Sequence, residues 1–193
     1  MQRCEWLDLA NPLYVNYHDL EWGVPVHDEN TLFAFLILEG AQAGLSWEII
    51  LNKRNNYYQA FDNFDPQKVA FYDLHKQAIL LSNKGIIRNR LKIKSAVTNA
   101  QVFLAIQQEF NSFDNYIWSF VNHKPIQNSF TSIMQIPTEM EISKKISDDL
   151  KQRGMKFVGP TIIYAFMQAI GMVNDHVTNC FRHKQIKELS ENS

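Results

Sequence analysis

The order of apolar and polar positions along this chain predicts helices joined by short loops. Apolar residues recur at the three- and four-residue spacing of one helix face, and no run of useful length alternates as a half-buried strand does. Asp28 and Ser46 stand at N-cap positions, Asp65-Pro66 opens a third helix, and Gly40 and Gly44 flank the end of the first. We therefore predict an all-α fold of about nine helices, at 31–39, 47–58, from 66, 74–81, 87–109, from 112, 137–154, 161–170 and around 176–180.

Three stretches lack this pattern. Residues 1–27 are crowded with aromatic side chains and show no clear period, and residues 123–137 are expected to form a loop. Residues 184–193 form a polar tail that we expect to fray. A chain of 193 residues, 46% of them hydrophobic, can bury a substantial core, so we expect one unit over residues 1–193, built as a single domain or as two small helical lobes.

The balance of charge argues against one class of partner. With a net charge of −1 and a pI of about 6.6, the chain is not expected to coat nucleic acid non-specifically, although a local basic face is compatible with these values. No charged and apolar leader opens the chain, and no apolar run reaches the roughly 18 residues that a membrane span needs. We expect a soluble, cytoplasmic, monomeric protein with no membrane association and no obligate protein partner.

Cys4 and Cys180 are the only cysteines, and they stand near opposite ends of the chain. A structural disulfide is not expected in a reducing cytoplasm, which leaves metal binding or simple burial. His176 and Cys180 are four residues apart, so on a helix they would share one face and supply half of a tetrahedral zinc site. Cys4 and His18 could supply the other half of a closed structural site. A buried cysteine beside an ordinary surface histidine stays open as the alternative.

Glu39 is the acid at the end of an otherwise apolar helix. If its carboxylate faces the interior it needs a partner or a purpose, because burying an unpaired charge is costly. Several ring faces close to one carboxylate would suit a flat, cationic heterocycle. The alternative, which the pattern alone favours, is a solvated Glu39 with the rings in the core. The rings concerned are Trp6, Tyr14, Tyr17, Trp22 and Trp47.

Two segments carry features of DNA contact. Residues 153–161 join two predicted helices, and the apolar-Gly-Pro step at Gly159 can place backbone N–H groups at a helix start, where they bind a phosphate without reading sequence. A routine helix–helix turn is the commoner explanation of one Gly-Pro, but Lys156 and the neighbouring cations Lys151 and Arg153 favour phosphate binding. Residues 84–94 hold five cations and no acid, as expected either of a solvated helix face or of half of a local DNA-binding face.

Seven motifs, taken together, resemble those of one known family. They span residues 3 to 180 and are far more specific than any single pattern above. On them the chain is similar to the type I 3-methyladenine DNA glycosylases, a family within the helix-hairpin-helix glycosylase superfamily. The motifs are RCEW at 3–6, NPLYVNYHDLEWGVP at 11–25, LEGAQAGLSW at 38–47, GIIRNRLKI at 85–93, WSFVNHKP at 118–125, RGMKFVGPT at 153–161 and MVNDHV at 172–177.

The resemblance implies a helix-hairpin-helix fold in which a structural zinc ion joins the N- and C-terminal segments. The zinc ligands that it implies are Cys4, His18, His176 and Cys180. It implies a base pocket in which Glu39 acts, with Tyr17 and Trp47 close to the base and Tyr14, Trp22 and Trp6 completing the aromatic wall. The DNA contacts that it implies are Gly159, Thr161 and Lys156 at the hairpin, and Gly44 and Leu45 at the gap left by a flipped nucleotide.

Two departures from the wider superfamily bear on mechanism. Many members carry V-D-T-H after the hairpin helix, with a catalytic Asp, whereas this chain has Val-Asn-Asp-His at 173–176, so that Asn174 takes the place of that acid. Members that cut the DNA backbone carry a Lys just beyond the hairpin glycine. Pro160-Thr161 stands there in this chain, which argues for a monofunctional enzyme that forms no Schiff base.

The function implied by the resemblance is excision of 3-methyladenine from alkylated double-stranded DNA, by base flipping and hydrolysis of the N-glycosidic bond. Two alternatives stay open. One is a zinc-stapled module that binds alkylated DNA without catalysis, which the missing superfamily Asp would permit. The other is a hydrolase for a different flat cation, such as a free nucleoside. Base release from DNA, and its dependence on DNA and salt, would separate the three.

Overall fold

Helices make up most of the structure, a computed structural model that describes residues 1–191. The all-α prediction is confirmed. A π-helical turn, Tyr17–Glu21, follows the first helix directly, and the only strands in the described range are a two-residue parallel pair, β1 (Ile126–Gln127) and β2 (Val173–Asn174). The helices are α1 (Pro12–Asn16), α2 (Glu29–Gln42), α3 (Trp47–Ala60), α4 (Pro66–Val69), α5 (Leu74–Ser82), α6 (Arg90–Phe110), α7 (Phe113–Ser119), α8 (Glu141–Gln152), α9 (Pro160–Ala169) and α10 (Phe181–Glu191).

Several helices begin where the sequence places their N-caps. The Asp28 carboxylate accepts a hydrogen bond from the Thr31 N–H at 2.8 Å and so opens α2. Asp65, with Pro66 after it, opens α4 in the same way. Ser46 is the N-cap of α3, although its side chain makes no capping hydrogen bond. These helix starts therefore follow from local chemistry.

The core is built around α2. Residues 32–41 of this helix are all buried, because they present apolar or small side chains in every direction, Glu39 excepted. The helix packs against α3, α6, α7 and α9. This position takes Glu39 into the interior, so the solvated alternative for that residue is wrong. Neither α2 nor any other helix within residues 1–191 has the length and apolar character needed to cross a membrane.

Both ends of the chain are more regular than their patterns suggest. Within residues 1–27, the Asn11 side chain caps the start of α1, and the π-helical turn follows. The tail prediction is wrong for residues 184–191, which belong to α10, because Ile186 is fully buried and lies against Gly23. Residues 192–193 of the predicted tail lie outside the described residues.

The short helix predicted around His176 and Cys180 is also wrong. Both residues lie in the loop that joins β2 to α10. The backbone of this loop bonds elsewhere: the Thr178 N–H donates to the Phe130 carbonyl at 2.8 Å, and the Cys180 N–H closes a turn on the Val177 carbonyl at 2.7 Å. Any convergence of His176 with Cys180 is therefore set by the loop and not by helical spacing.

Candidate active site

A cavity of about 330 Å³ lies between the N-terminal segment, α2, α3 and α9. Its wall contains Glu39 together with the five rings that the sequence analysis singled out, so the residues predicted to form a pocket do come together. Thr161, predicted as a DNA contact, lines the same cavity. The rings are Trp6, Tyr14, Tyr17, Trp22 and Trp47.

Glu39 has the most unusual electrostatic setting in this wall. The residue is only 3% exposed, and its Oε2 atom has no hydrogen-bond partner. Burial raises the pKa of Glu39 to about 8, because the carboxylate loses the water that would solvate its charge. An acceptor kept without a partner in a buried wall suits a ligand that brings a donor or a positive charge.

The rings around Glu39 supply flat surfaces and one further unpaired group. The Tyr17 and Trp47 ring centroids are 5.4 Å apart at an interplanar angle of 46°, and those of Trp6 and Trp22 are 5.0 Å apart at 75°. The Trp47 Nε1 atom is buried without a partner, so the wall offers an unpaired donor as well as an unpaired acceptor. Burial, reinforced by Glu39, holds the pKa of Tyr17 well above its usual value, which keeps this residue a neutral phenol.

Part of the cavity wall was not predicted from the sequence: one helix face, one connecting segment and Gln42. Tyr164, Ala165 and Gln168 of α9 line the cavity together with Thr161, and their spacing of three, four and seven residues from Thr161 is that of one helix face. Because Thr161 had been predicted as a contact, its helical spacing to the other three residues could have identified them from the sequence. Gln42 of α2 and four residues within 133–138 complete the wall that was not predicted. The sequence placed the start of a helix at residue 137, but α8 begins only at Glu141, so residues 137–138 remain in the connecting segment that lines the cavity.

Beside the cavity, four buried side chains form a cluster able to hold a metal ion. The potential ligand atoms of Cys4, His18, His176 and Cys180 all lie within 4.8 Å of one another. Cys180 Sγ lies 3.5 Å from both His18 Nε2 and His176 Nδ1, and Cys4 Sγ lies 3.6 Å from His176 Nδ1. Zinc–sulfur and zinc–nitrogen bond lengths in a tetrahedral site place neighbouring ligands about 3.6 Å apart. The donor atoms therefore fit one tetrahedral ion.

Each histidine of the cluster has one ring nitrogen paired outside the cluster and the other turned toward it. His18 Nδ1 lies 2.7 Å from a carboxylate oxygen of Asp19, which in turn is paired with Arg3 at 2.7 Å. His176 Nε2 lies 3.0 Å from the Trp22 carbonyl oxygen. A neutral imidazole that donates from one nitrogen keeps a lone pair on the other, so His18 Nε2 and His176 Nδ1 are the nitrogens that can face a metal. In this structure His18 Nε2 accepts a 3.3 Å hydrogen bond from the Cys4 N–H, which a metal ion would replace.

The metal-ligand cluster and the cavity share a wall. Trp22 lines the cavity, and its ring centroid lies 4.5 Å from that of His176 at an interplanar angle of 76°. Trp6, on the same side, lies 5.3 Å from the His18 ring. Closing the cluster around an ion would therefore fix the N-terminal segment that carries most of the rings.

The segment between α8 and α9 has the form of a helix-hairpin-helix turn. Met155 and Val158 are buried and anchor it, whereas Lys156 and Thr161 are exposed. Gly159 is the N-cap of α9, and a Cβ atom built on it would meet nothing within 4 Å. The surface in front of Gly159 is thus open to a ligand.

One of the cations near the hairpin is not available for a phosphate. The Arg153 guanidinium lies 2.6 Å from a Glu109 carboxylate oxygen and 2.7 Å from one of Asp149. Its charge is therefore already compensated within the protein, which overturns the expectation that Arg153 supports phosphate binding. Lys156 has no such ion pair within the described part of the chain.

Gly44 and Leu45 occupy an exposed turn between α2 and α3 and do not line the cavity. Gly44 has a φ of +79°, a left-handed conformation that favours glycine. Lys92 holds the start of this turn, since its Nζ donates to the Ala41 and Ala43 carbonyls at 2.7 Å each. Lys92 is thus removed from the exposed basic segment 84–94, whose other cations are exposed.

Asn174 and Asp175 do not line the cavity. Asn174 is buried, and its Nδ2 donates to Gln127 and to a carbonyl of α10. Asp175 is buried as well and accepts hydrogen bonds from Tyr164 and Gln168, both of which line the cavity. Asp175 therefore supports the wall from behind, and Glu39 is the acid that meets the cavity.

The fold and this site define a helix-hairpin-helix protein whose cavity suits a flat, cationic heterocycle. A family model described as methyladenine glycosylase matches residues 6–183. DNA-3-methyladenine glycosylase 1 of Escherichia coli (strain K12) is 48% identical over 180 residues, which cover 93% of this chain and 96% of that protein. The chain belongs to the methyladenine glycosylase family, as the resemblance predicted, and is therefore an enzyme that hydrolyses N-glycosyl bonds.

Two further relatives agree with this assignment. The DNA-3-methyladenine glycosylase of Haemophilus influenzae (strain ATCC 51907 / DSM 11121 / KW20 / Rd) is 45% identical over 178 residues, covering 92% of this chain and 96% of that protein. The crystal structure of a variant 3-methyladenine DNA glycosylase I in complex with 3-methyladenine matches with a TM-score of 0.90 at 36% identity, covering 94% of this chain and 97% of the other. The fold is thus shared over nearly the whole chain.

Proposed function

We propose that this chain excises 3-methyladenine from alkylated double-stranded DNA by hydrolysing the N-glycosidic bond of a nucleotide flipped out of the duplex. The observation that carries the proposal is the buried Glu39 carboxylate, whose Oε2 has no partner in a cavity walled by rings. A methylated adenine nucleotide brings what this wall lacks, namely an amino donor, a flat ring and a positive charge. The names of the relatives, one of them solved with 3-methyladenine, support the same substrate.

Hydrolysis of this N-glycosidic bond requires little acid catalysis from the protein. Methylation at ring nitrogen 3 makes the nucleoside cationic, so the bonding electrons pass to the base and it leaves as a neutral molecule. Water then adds to the sugar carbon and gives up a proton. Glu39 accepts a hydrogen bond from the exocyclic amino group, and its charge stabilises the developing sugar cation. A guanine would present a carbonyl oxygen to the same acceptor, and the unmet hydrogen bonds would reject it.

The rings hold the base in place. Tyr17 and Trp47 stand nearest to Glu39 in this proposal and stack on the everted purine, and the indole N–H of Trp47 is a free donor for it. Trp6, Tyr14 and Trp22 complete the wall. Stacking and backbone contacts offset the cost of extrusion, which is on the order of a few kcal/mol.

The exposed hairpin and turn beside the cavity are the proposed DNA contacts. Gly159 and the amides after it bind a phosphate at the start of α9, with Lys156 and Thr161 beside them. Leu45, at the tip of the turn that follows Gly44, fills the gap that the flipped nucleotide leaves. These roles would account for the exposed Leu45 side chain and for the open space in front of Gly44 and Gly159.

The reaction is proposed to be monofunctional. A glycosylase that also cuts the backbone uses an amine to form a Schiff base with the sugar. No lysine lines the cavity in the described part of the chain, and Pro160-Thr161 follows the hairpin glycine. Water is therefore the nucleophile, and the product is an intact strand with an abasic site.

Zinc is the proposed occupant of the cluster of Cys4, His18, His176 and Cys180. Two thiolates and two imidazoles in tetrahedral reach are the donor set that zinc prefers in structural sites. Four protein ligands leave no open position, so a bound zinc ion would supply folding energy and no chemical step. Its role would be to join the two ends of the chain behind the ring wall.

Base release from methylated duplex DNA tests the proposed function. We expect the purified protein to release 3-methyladenine, with neither strand cleaved, and to bind more weakly as salt is raised, because phosphate contacts release counterions. A matched duplex without methylation serves as the control. Binding without base release would instead support a damage-binding module, and activity on free nucleosides that is independent of DNA would support a different hydrolase.

The pKa of Glu39 predicts the pH dependence of excision. Since burial raises this pKa to about 8, the carboxylate is mostly protonated near neutral pH in the free enzyme and becomes the acceptor only as pH rises. We expect kcat/KM to increase by about tenfold per pH unit below pH 8 and to level off above it. Measurement of kcat/KM from about pH 6 to 9 checks this. A flat wild-type profile would contradict the role given to Glu39.

A further inference from the structure

Asn99 holds the hairpin with both ends of its side-chain amide. The residue lies in α6 and is 3% exposed. Its Nδ2 donates to the Lys156 carbonyl at 2.9 Å, and its Oδ1 accepts from the Lys156 N–H at 2.8 Å. One buried side chain thus binds both backbone polar groups of Lys156, which fixes the direction of the chain at this point.

Ser147 of α8 holds the same hairpin two residues further on. It is fully buried, and its Oγ donates to the Val158 carbonyl at 2.6 Å. Between these two anchors Phe157 has a φ of +56°, a conformation strained for a residue other than glycine. Gly40 packs closely against it, because a Cβ there would lie 3.3 Å from Phe157 Cβ and O. Such a turn persists only where its surroundings hold it.

The anchored turn leads directly into the start of α9. The Ile163 N–H donates to the Gly159 carbonyl at 2.9 Å, so the N–H groups of Thr161 and Ile162 come before the first bond of the helix. Pro160 has no N–H. The groups proposed to bind a phosphate therefore follow within a few residues of Val158, whose position Ser147 sets.

We propose that Asn99 and Ser147 are positioning residues for DNA binding, which hold the hairpin in its phosphate-binding conformation before DNA arrives. This rests on the proposed function, in which the hairpin contacts the duplex. A loosely held hairpin would have to be ordered during binding, and that cost would weaken the affinity for DNA. Neither residue lines the cavity of Glu39, so the chemical step does not depend on them directly.

Asn99→Asp is the sharpest variant, because it keeps an acceptor for the Lys156 N–H and turns the donor into an oxygen that faces the Lys156 carbonyl. The probe is a duplex with a stable abasic-site analogue. We expect its Kd to rise about tenfold, as for one lost hydrogen bond with an unmet carbonyl. Single-turnover excision at saturating DNA and the binding of free 3-methyladenine should stay within about twofold of the wild type.

Ser147→Ala removes the second anchor and should raise the same Kd in the same direction. Asn115→Asp is the matched control: Asn115 is exposed, its Nδ2 donates to the Phe110 carbonyl at 3.0 Å, and the variant should bind DNA normally. Unchanged Kd in folded Asn99→Asp, or in Ser147→Ala if Asn99→Asp does not fold, would overturn the proposal. So would an equal loss of base binding and saturated rate, since that indicates a general structural role.

Different experimental results would refute the proposed function and the positioning role of Asn99 and Ser147. If the wild-type protein releases no base from methylated DNA, the function itself is wrong and the hairpin has no assigned partner. If the wild type is active and both anchor variants bind the abasic duplex with unchanged Kd, the function stands and only the positioning role is lost.

Discussion

Replacing Glu39 with glutamine is expected to slow release of 3-methyladenine by about 10- to 100-fold while leaving the protein folded. The loss follows because a charge-assisted hydrogen bond contributes about 1.5–3 kcal/mol, and the neutral amide cannot match it or stabilise the sugar cation. Glutamine has nearly the same shape, so the cavity is preserved. Single-turnover excision from methylated duplex measures the effect, and release at the wild-type rate would refute the assignment of Glu39.

The stability of the same variant gives an independent check. An unpartnered carboxylate that is 3% exposed destabilises the fold, so Glu39→Gln should melt at the same temperature as the wild type or higher, most clearly above pH 8 where Glu39 is ionised. Loss of activity with undiminished stability is the pattern of a functional residue and not of a core residue. Glu141→Gln, an equal charge change on the exposed side of α8, serves as the control and should alter neither property.

Replacing Cys180 with alanine is expected to lower the bound zinc and the melting temperature together. Three remaining ligands hold a zinc ion less tightly, and the two ends of the chain lose their link beside the ring wall. A destabilisation of about 3 kcal/mol corresponds to a fall in Tm of about 10 °C for a chain of this size. Metal analysis and thermal unfolding of the purified variant measure both, and a full complement of zinc would exclude Cys180 as a ligand.

Two controls separate the metal from simple packing. Val177→Ala removes a buried apolar group from the same loop and should keep its zinc. A chelator should lower the Tm of the wild type toward that of Cys180→Ala and lower the Tm of the variant much less, because the variant has already lost most of the stabilisation by bound zinc. If chelation does not affect the wild type, the cluster is not a structural metal site.

The fold class and many helix starts could be predicted from short-range patterns. The N-cap at Asp28 and the proline at 66 act within one turn of chain, and they open α2 and α4 as expected. The same local reasoning misjudged the segment around His176, because its amides bond to Phe130 and within a turn instead of along a helix. Contacts between distant segments leave no mark on local periodicity.

The cavity, too, could be predicted from the sequence only in part. Residue types indicated that Glu39 and the aromatic side chains could form a pocket, but the pattern alone favoured a solvated Glu39. Whether Glu39 is buried or solvated depends on the packing around α2. The helices α3, α6, α7 and α9 enclose α2 and so remove the carboxylate from water. Residues within 133–138 line the cavity, although nothing in their sequence indicated it. A connecting segment lines a cavity only because of the elements that it packs against.

By itself the sequence determined the helical class, several of the helix starts, the donor set of two cysteines and two histidines, and the family motifs, because each depends on residue identity or on neighbours within a few positions. Only the tertiary structure decided that Glu39 is buried and unpaired, and that Cys4 comes close to Cys180 from the other end of the chain. It also decided that Arg153 is ion-paired and that Lys92 donates to backbone carbonyls, so that neither cation is free. These depend on burial and on distances between remote segments, which are set when the whole core packs.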